Sequence, residues 1–447
     1  MMTRTPRPLV QTLLAAPLLV GPPAFAQVQL TPLASTPIPN TGPLLPLHEE
    51  NLVLATIEDQ NGNGYDDFLV GLPLLDQVHV LDGHKLKLHR VIRGPAGSRF
   101  GVSLAVLPDQ NGDGLEDVAI GAPDAMGSGA VYVHRGRDYG LLKVVTPTQQ
   151  PTICVAQNSS FDEYGMKVAV GADFNGDGRA ELIVGDPGWD SIFWVSNNFG
   201  YMEVVSVAGS GPPTLVAWTR GEAHSRLGRS IETVKGRIVV NGSPTTTPGQ
   251  SKLDVFDPFY VPACNMPSIG AGRAPGVGQI TLGYAMTTIP AAPGSPAEDL
   301  LASSLNTGGG SGDVFRYTQS SIVGLPDGSP STPVPPPDFL PVLNYRDPWN
   351  HPSTFGSALS RLPGSGDFDG DGRTDFVVGN APPSGLAIPM PSSVGIASFT
   401  SPVLLAELRN ENGSTQFGQH IASSAKVVPG RLNVVVSDPA LGLVHLY

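Results

Sequence analysis

Cysteine occurs only twice in the 447 residues, at Cys154 and Cys264, so no disulfide framework holds the fold. An oxidising compartment would permit one bridge, and the sequence does not say whether the two come within reach. Charge is also scarce. Charged residues make up 15% of the chain, and Lys and Arg number 26 against 39 Asp and Glu. The resulting net charge of -13 leaves no basic surplus to neutralise a phosphate backbone, which argues against nucleic acid as a partner. Long apolar runs are missing too: no stretch reaches the roughly 20 residues of a transmembrane helix, so no membrane span is expected.

Glycine and proline are abundant, at 54 and 45 residues. Such a composition suits many short strands joined by tight turns, and 40% hydrophobic residues are enough to build a core. At the N-terminus, Arg4 and Arg7 precede an apolar run from Leu9 to Val20, followed by Ala24-Phe25-Ala26. This order of charge, apolar run and small-residue site reads as an export signal over residues 1–26, with the mature chain starting at Gln27. A secreted protein, extracellular or periplasmic, is expected.

Internal repeats organise the rest. Four segments align without gaps, starting at Asp59, Asp109, Asp173 and Asp367, and each runs into an apolar stretch such as Val118-Ala119-Ile120. Twelve residues after each first Asp stands a glycine: Gly71, Gly121, Gly185 and Gly379. Upstream, Phe100-Gly101, Tyr164-Gly165 and Phe355-Gly356 open three of the units. Leu227-Gly228 and Phe417-Gly418 keep this frame without the acidic loop, and a weaker copy begins at Gly283-Tyr284. With the unit around Asp59, the copies number seven. Units of about 60 residues holding several short strands cannot bury their own faces and must stack on one another. Radial closure follows, giving an all-β, seven-bladed β-propeller over residues 48–447. The segment 27–47 is available to supply a closing strand near Val28-Gln29-Leu30. The Pro-rich stretch from Leu325 to Pro341 reads as an excursion between strands.

The acidic loops carry oxygen-bearing side chains at positions 1, 3, 5 and 9. These are Asp59, Asn61, Asn63 and Asp67; Asp109, Asn111, Asp113 and Asp117; Asp173, Asn175, Asp177 and Glu181; and Asp367, Asp369, Asp371 and Asp375. Glycine at positions 4 and 6 lets the backbone wrap around one ion, and the carbonyl of position 7 (Tyr65, Leu115, Arg179 or Arg373) is placed to complete the shell. Hard oxygen donors without Cys or His predict Ca²⁺ rather than zinc. The Glu that an EF-hand carries at position 12 is replaced by Val70, Ile120, Val184 or Val378, so these are loops between strands. Carboxylate counts rank the Asp367 loop first and the Asp59 loop last.

Phe-Gly, acidic loop and Gly-Ala-Pro, most complete as Phe100-Gly101, Asp109 to Asp117 and Gly121-Ala122-Pro123, resemble the FG-GAP repeat family of integrin α-subunit propellers and their bacterial relatives. The resemblance implies a seven-bladed propeller with calcium in hairpin loops on one face and ligands met on the other. Three repeats depart from it by lacking the cation loop, and no integrin-like leg or membrane anchor follows within the sequence.

Two function classes remain. The first is a non-catalytic, monomeric module for extracellular binding or cell adhesion, with structural calcium and a protein or polysaccharide ligand. The alternative is a polysaccharide-degrading lyase or hydrolase with a site near the propeller axis. No G-x-S-x-G, H-E-x-x-H or P-loop is present, so no catalytic residues are assigned. His79 and His134 fall in strand-like runs where packing explains them, Asp162 and Glu163 are candidates for a carboxylate pair, and Trp189, Trp194, Trp218 and Trp349 are candidates to stack on sugars. Binding is the favoured class.

Overall fold

The computed structural model describes residues 28–38, 52–148, 163–188, 199–221, 225–242, 252–259, 266, 268–272, 282–305, 312–325, 338–339, 343–346, 355–381, 392–401, 403–408, 410, 413–424, 426 and 431–447. The signal at 1–26, both cysteines, Asp162, Trp189, Trp194 and Trp349 lie outside them.

Apolar runs that follow the acidic loops become the second strand of each repeat. In Asp117–Ala122 every residue is buried, whereas the preceding Leu104–Leu107 alternates between half-buried and buried. A strand sandwiched between neighbours on both faces reads as a continuous apolar run, while one bordering an open axis alternates. Each repeat pairs its strands in sequence order, giving seven antiparallel sheets, or blades. Blade 1 consists of Val53–Ile57, Asp67–Leu72, Gln77–Leu81 and Leu88–Arg93. Blades 2 to 7 follow at residues 104–145, 167–220, 231–272, 282–346, 355–408 and 421–446.

The first strands of successive blades touch in turn, and that of blade 7, Ile421–Ser423, touches Val53–Ile57 of blade 1, so the ring closes. Apolar clusters confirm this. One forms at each blade boundary, from Phe100 with Leu69 and Ile120 between blades 1 and 2 round to Val444 and Leu446 with Phe68 and Val70 between blades 7 and 1.

Two N-terminal strands take part in the closure. Val28–Leu30 runs parallel to Ala406–Leu408 as a fifth strand on blade 6. The outer strand of blade 7 is instead Ala34–Pro37, antiparallel to Leu443–Leu446. The closing strand therefore lies a few residues beyond the expected site, because the short C-terminal strand at Leu443 leaves an edge that the first N-terminal strand has already passed. The Pro-rich excursion lies between the third and fourth strands of blade 5. On its way it places Asp338–Phe339 beside Ala271 and Gly272 of blade 4 before Leu343–Arg346 completes blade 5.

The repeated glycines are explained at the blade boundaries. A Cβ built on Gly71 would stand 2.1 Å from the carbonyl oxygen of Gly101, one on Gly121 2.0 Å from that of Gly165, and one on Gly185 2.1 Å from that of Gly228. The glycine twelve residues after the loop's first Asp thus meets the corner glycine of the next blade backbone to backbone. Phe100 and Tyr164 beside two of those glycines, and Phe355 at the start of blade 6, are fully buried between blades.

Candidate metal centres

The four acidic loops share one geometry. Their position-1 carboxylates accept from the backbone of the loop they open: Asp59 from the N–H groups of Asn61, Gly62, Asn63 and Gly64 at 2.6–3.2 Å, and Asp109 from Asn111, Gly112, Asp113 and Gly114 at 2.6–3.2 Å. Asp173 and Asp367 repeat the contacts to positions 4 and 6. Slight burial works to raise the carboxyl groups of Asp59 and Asp109, but these N–H donors outweigh it and hold both below the usual range. Glycines at positions 4 and 6 adopt positive φ, from +77° to +91°, which a side chain would resist.

At position 9 the carboxylate points inward from the start of the second strand. Asp67, Asp117, Glu181 and Asp375 are buried, and each accepts from the backbone N–H of position 2, at 3.2, 2.7, 2.5 and 2.8 Å respectively. Burial, reinforced by the other loop carboxylates, raises all four, with Asp67 and Asp375 both at about 6. The N–H of position 7, in Tyr65, Leu115, Arg179 and Arg373, donates to the side chain of position 5 at 2.8–3.0 Å.

In two loops these groups converge on one point. Oxygens of Asp173, Asp177 and Glu181 lie within 4.8 Å of one another, as do those of Asp367, Asp369 and Asp375. Glu181 Oε1 and Asp375 Oδ1 are buried and have no hydrogen-bond partner. Three converging carboxylates, one of them buried, are the donor set of a hard cation, so the residues present fit Ca²⁺. In the other two loops an asparagine amide meets the inward carboxylate instead, Asn61 Nδ2 at 3.1 Å from Asp67 and Asn111 Nδ2 at 3.3 Å from Asp117.

Sequence reasoning missed one carboxylate. Asp82, just past the third strand of blade 1, lies 3.2 Å from Asn61 Nδ2 and beside Asn63 Nδ2. It brings a third carboxylate to the loop ranked last. The register that pairs Phe68 with Leu81 places Asp82 there, and the same register sets Ser206 beside Asp177 in blade 3. Neighbouring loops also join across blades: Arg179 donates to the carbonyl of Asp109, and Arg431 of blade 7 lies 5.0 Å from the ring of Tyr65.

The FG-GAP repeat model matches residues 100–134 and 164–201, which are the first three strands of blade 2 and the first half of blade 3 with their acidic loops. The chain carries FG-GAP repeats. A stretch of 153 residues, 30% of this chain, is 33% identical to Integrin alpha-PS5 of Drosophila melanogaster and spans 15% of that protein's length. Among solved structures, Kuenenia stuttgartiensis hydrazine synthase superposes with a TM-score of 0.51 over 91% of this chain and 97% of that one, at 10% identity, a likeness of fold alone. Leu227-Gly228, Phe355-Gly356 and Phe417-Gly418, outside the matched residues, stand at the start of blades 4, 6 and 7.

Remaining candidates resolve into packing. His79 and His134 are buried; His134 Nδ1 lies 2.8 Å from the carbonyl of Tyr139, and His79 Nε2 3.1 Å from Gln77. Glu163 forms an ion pair with Arg226 of the next blade at 3.1 Å. Trp218 is buried against Tyr201, with ring centroids 5.8 Å apart. No helix among the described residues is long and apolar enough to cross a membrane.

Proposed function

We propose that this FG-GAP propeller is a secreted, non-catalytic binding or adhesion module whose rigidity depends on calcium in four hairpin loops. The observation that supports calcium most directly is the convergence of three carboxylates in each of two loops, around the buried Glu181 and the buried Asp375. The likeness to an integrin α-subunit supports the binding role, and the N-terminal signal pattern supports export. Each proposed ion would tie the first strand of a blade to the second and neutralise carboxylates that otherwise repel, with no open position needed for a substrate. Its role is therefore structural.

The test is a glycan and matrix-protein array probed with and without calcium, using the intact chain and Asp375→Asn. Calcium-dependent capture of a defined ligand, retained by folded Asp375→Asn with one ion fewer, supports the reading. A folded variant that loses the ligand or an activity outright would assign the ion a direct role and bring the enzyme alternative forward.

A further inference from the structure

A cavity of about 300 Å³ lies on the axis, at the end opposite the acidic loops. The loops follow the ends of the first strands, whereas the cavity is lined by the beginnings of those strands, one to four residues after the corner glycines. The glycines recur from blade to blade, but the side chains after them differ: Lys167 after Gly165, Arg229 after Gly228, Tyr284 after Gly283 and His420 after Gly418. A repeated scaffold thus presents an asymmetric set of groups at its centre.

Three features make this cavity unlike a simple packing gap. Lys167 and Arg229, from adjacent blades, both reach it in a chain whose formal charge is -13. Arg229 lies 5.8 Å from the ring centroid of Tyr284, which fixes an aromatic surface beside a cation. The pairing register also shifts between Leu282 and Met286 in blade 5 and between Phe355 and Leu359 in blade 6, the stretches that carry Tyr284 and Ser357 to the cavity. Bulges of this kind re-aim side chains and recur next to binding sites.

We propose that the axial cavity binds a small polyhydroxylated carboxylate, the chemistry of a sugar acid. Lys167 and Arg229 meet the carboxylate, Ser103, Ser357 and Gln419 offer hydrogen bonds to hydroxyl groups, and the volume matches a ligand of monosaccharide size at the lower end of the range for small-molecule sites. Glu232, which also lines the cavity, supports this. Burial raises its carboxyl to about 7, against the pull of Lys167 and Arg361 and with the help of Glu298, so near neutral pH it opposes an incoming anion less than an ordinary carboxylate would. The proposal deepens the binding-module reading and rests on it.

The experiment is isothermal titration of the full chain, in calcium, with glucuronate and separately with glucose. Glucuronate is expected to bind at one site, at least about tenfold more tightly than glucose. Lys167→Met should weaken glucuronate by about tenfold or more at an unchanged melting temperature, and Glu232→Gln should leave it equal or tighter. Equal affinity for the two sugars, no binding of glucuronate, or full binding by folded Lys167→Met would overturn the axial site. The calcium titration and the array are read independently, so such a failure would leave the proposed function standing.

Discussion

Gly121 and Gly209 are both glycines, yet they should respond differently to a methyl group. A Cβ on Gly121 would meet the carbonyl oxygen of Gly165 at 2.0 Å, whereas nothing lies within 4 Å at Gly209, whose φ is +63°. Gly121→Ala must push two blades apart and is expected to cost about 3 kcal/mol, while Gly209→Ala pays only the left-handed backbone strain of about 1 kcal/mol. Chemical denaturation of both variants checks this. Similar losses would mean that the glycine corners are not what sets the blades together.

Glu203 also makes a prediction at this scale. It is fully buried in blade 3, accepting from Tyr201 Oη at 2.7 Å, Tyr164 Oη at 2.9 Å and the N–H of Thr148 at 3.0 Å. Burial raises its carboxyl to about 7, and these donors only partly offset it. Because the folded state holds the proton more tightly than the unfolded chain, ionisation weakens folding progressively as pH rises from about 4.5 to about 7. Below that window both states are protonated and no penalty applies. Glu203→Gln should therefore gain stability relative to the parent across the window, measured as melting temperature against pH. Parallel profiles would show that Glu203 does not titrate there.

Among the elements, the acidic hairpins were the most legible part of the sequence, since their spacing lies within nine consecutive residues and local chemistry decides it. The inward turn of Asp67, Asp117, Glu181 and Asp375 follows from that spacing and from the strand that starts at position 9. Asp82 was not legible. It lies fifteen residues after Asp67 and reaches the first loop only through the pairing of Phe68 with Leu81, which no local pattern announces. Asp82→Ala should weaken calcium at the Asp59 loop while leaving the remaining sites intact, so titration would show one affinity lowered and the others unchanged. An unaltered isotherm would remove Asp82 from the site. The axial cavity was hidden for a similar reason, because Lys167, Arg229 and Tyr284 come together only when three blades are in place.

For the whole molecule, seven copies implied a closed ring, but which N-terminal residues close it depended on strand edges far apart in sequence. Ala34–Pro37 pairs with Leu443–Leu446 and covers an edge that would otherwise be open. A chain beginning at residue 39 should therefore melt at a lower temperature and aggregate more readily than one beginning at Gln27. Equal melting would assign the strand no part in closure.

Calcium is expected to act on this ring as a whole, because the proposed ions would brace blades 1, 2, 3 and 6 and only the folded loops bring their carboxylates together. Calorimetry of the chelated protein answers this directly: titration should show four calcium ions bound per chain, and the melting temperature should rise with free calcium. No stoichiometric binding, with identical melting in calcium and in chelator, would contradict the account.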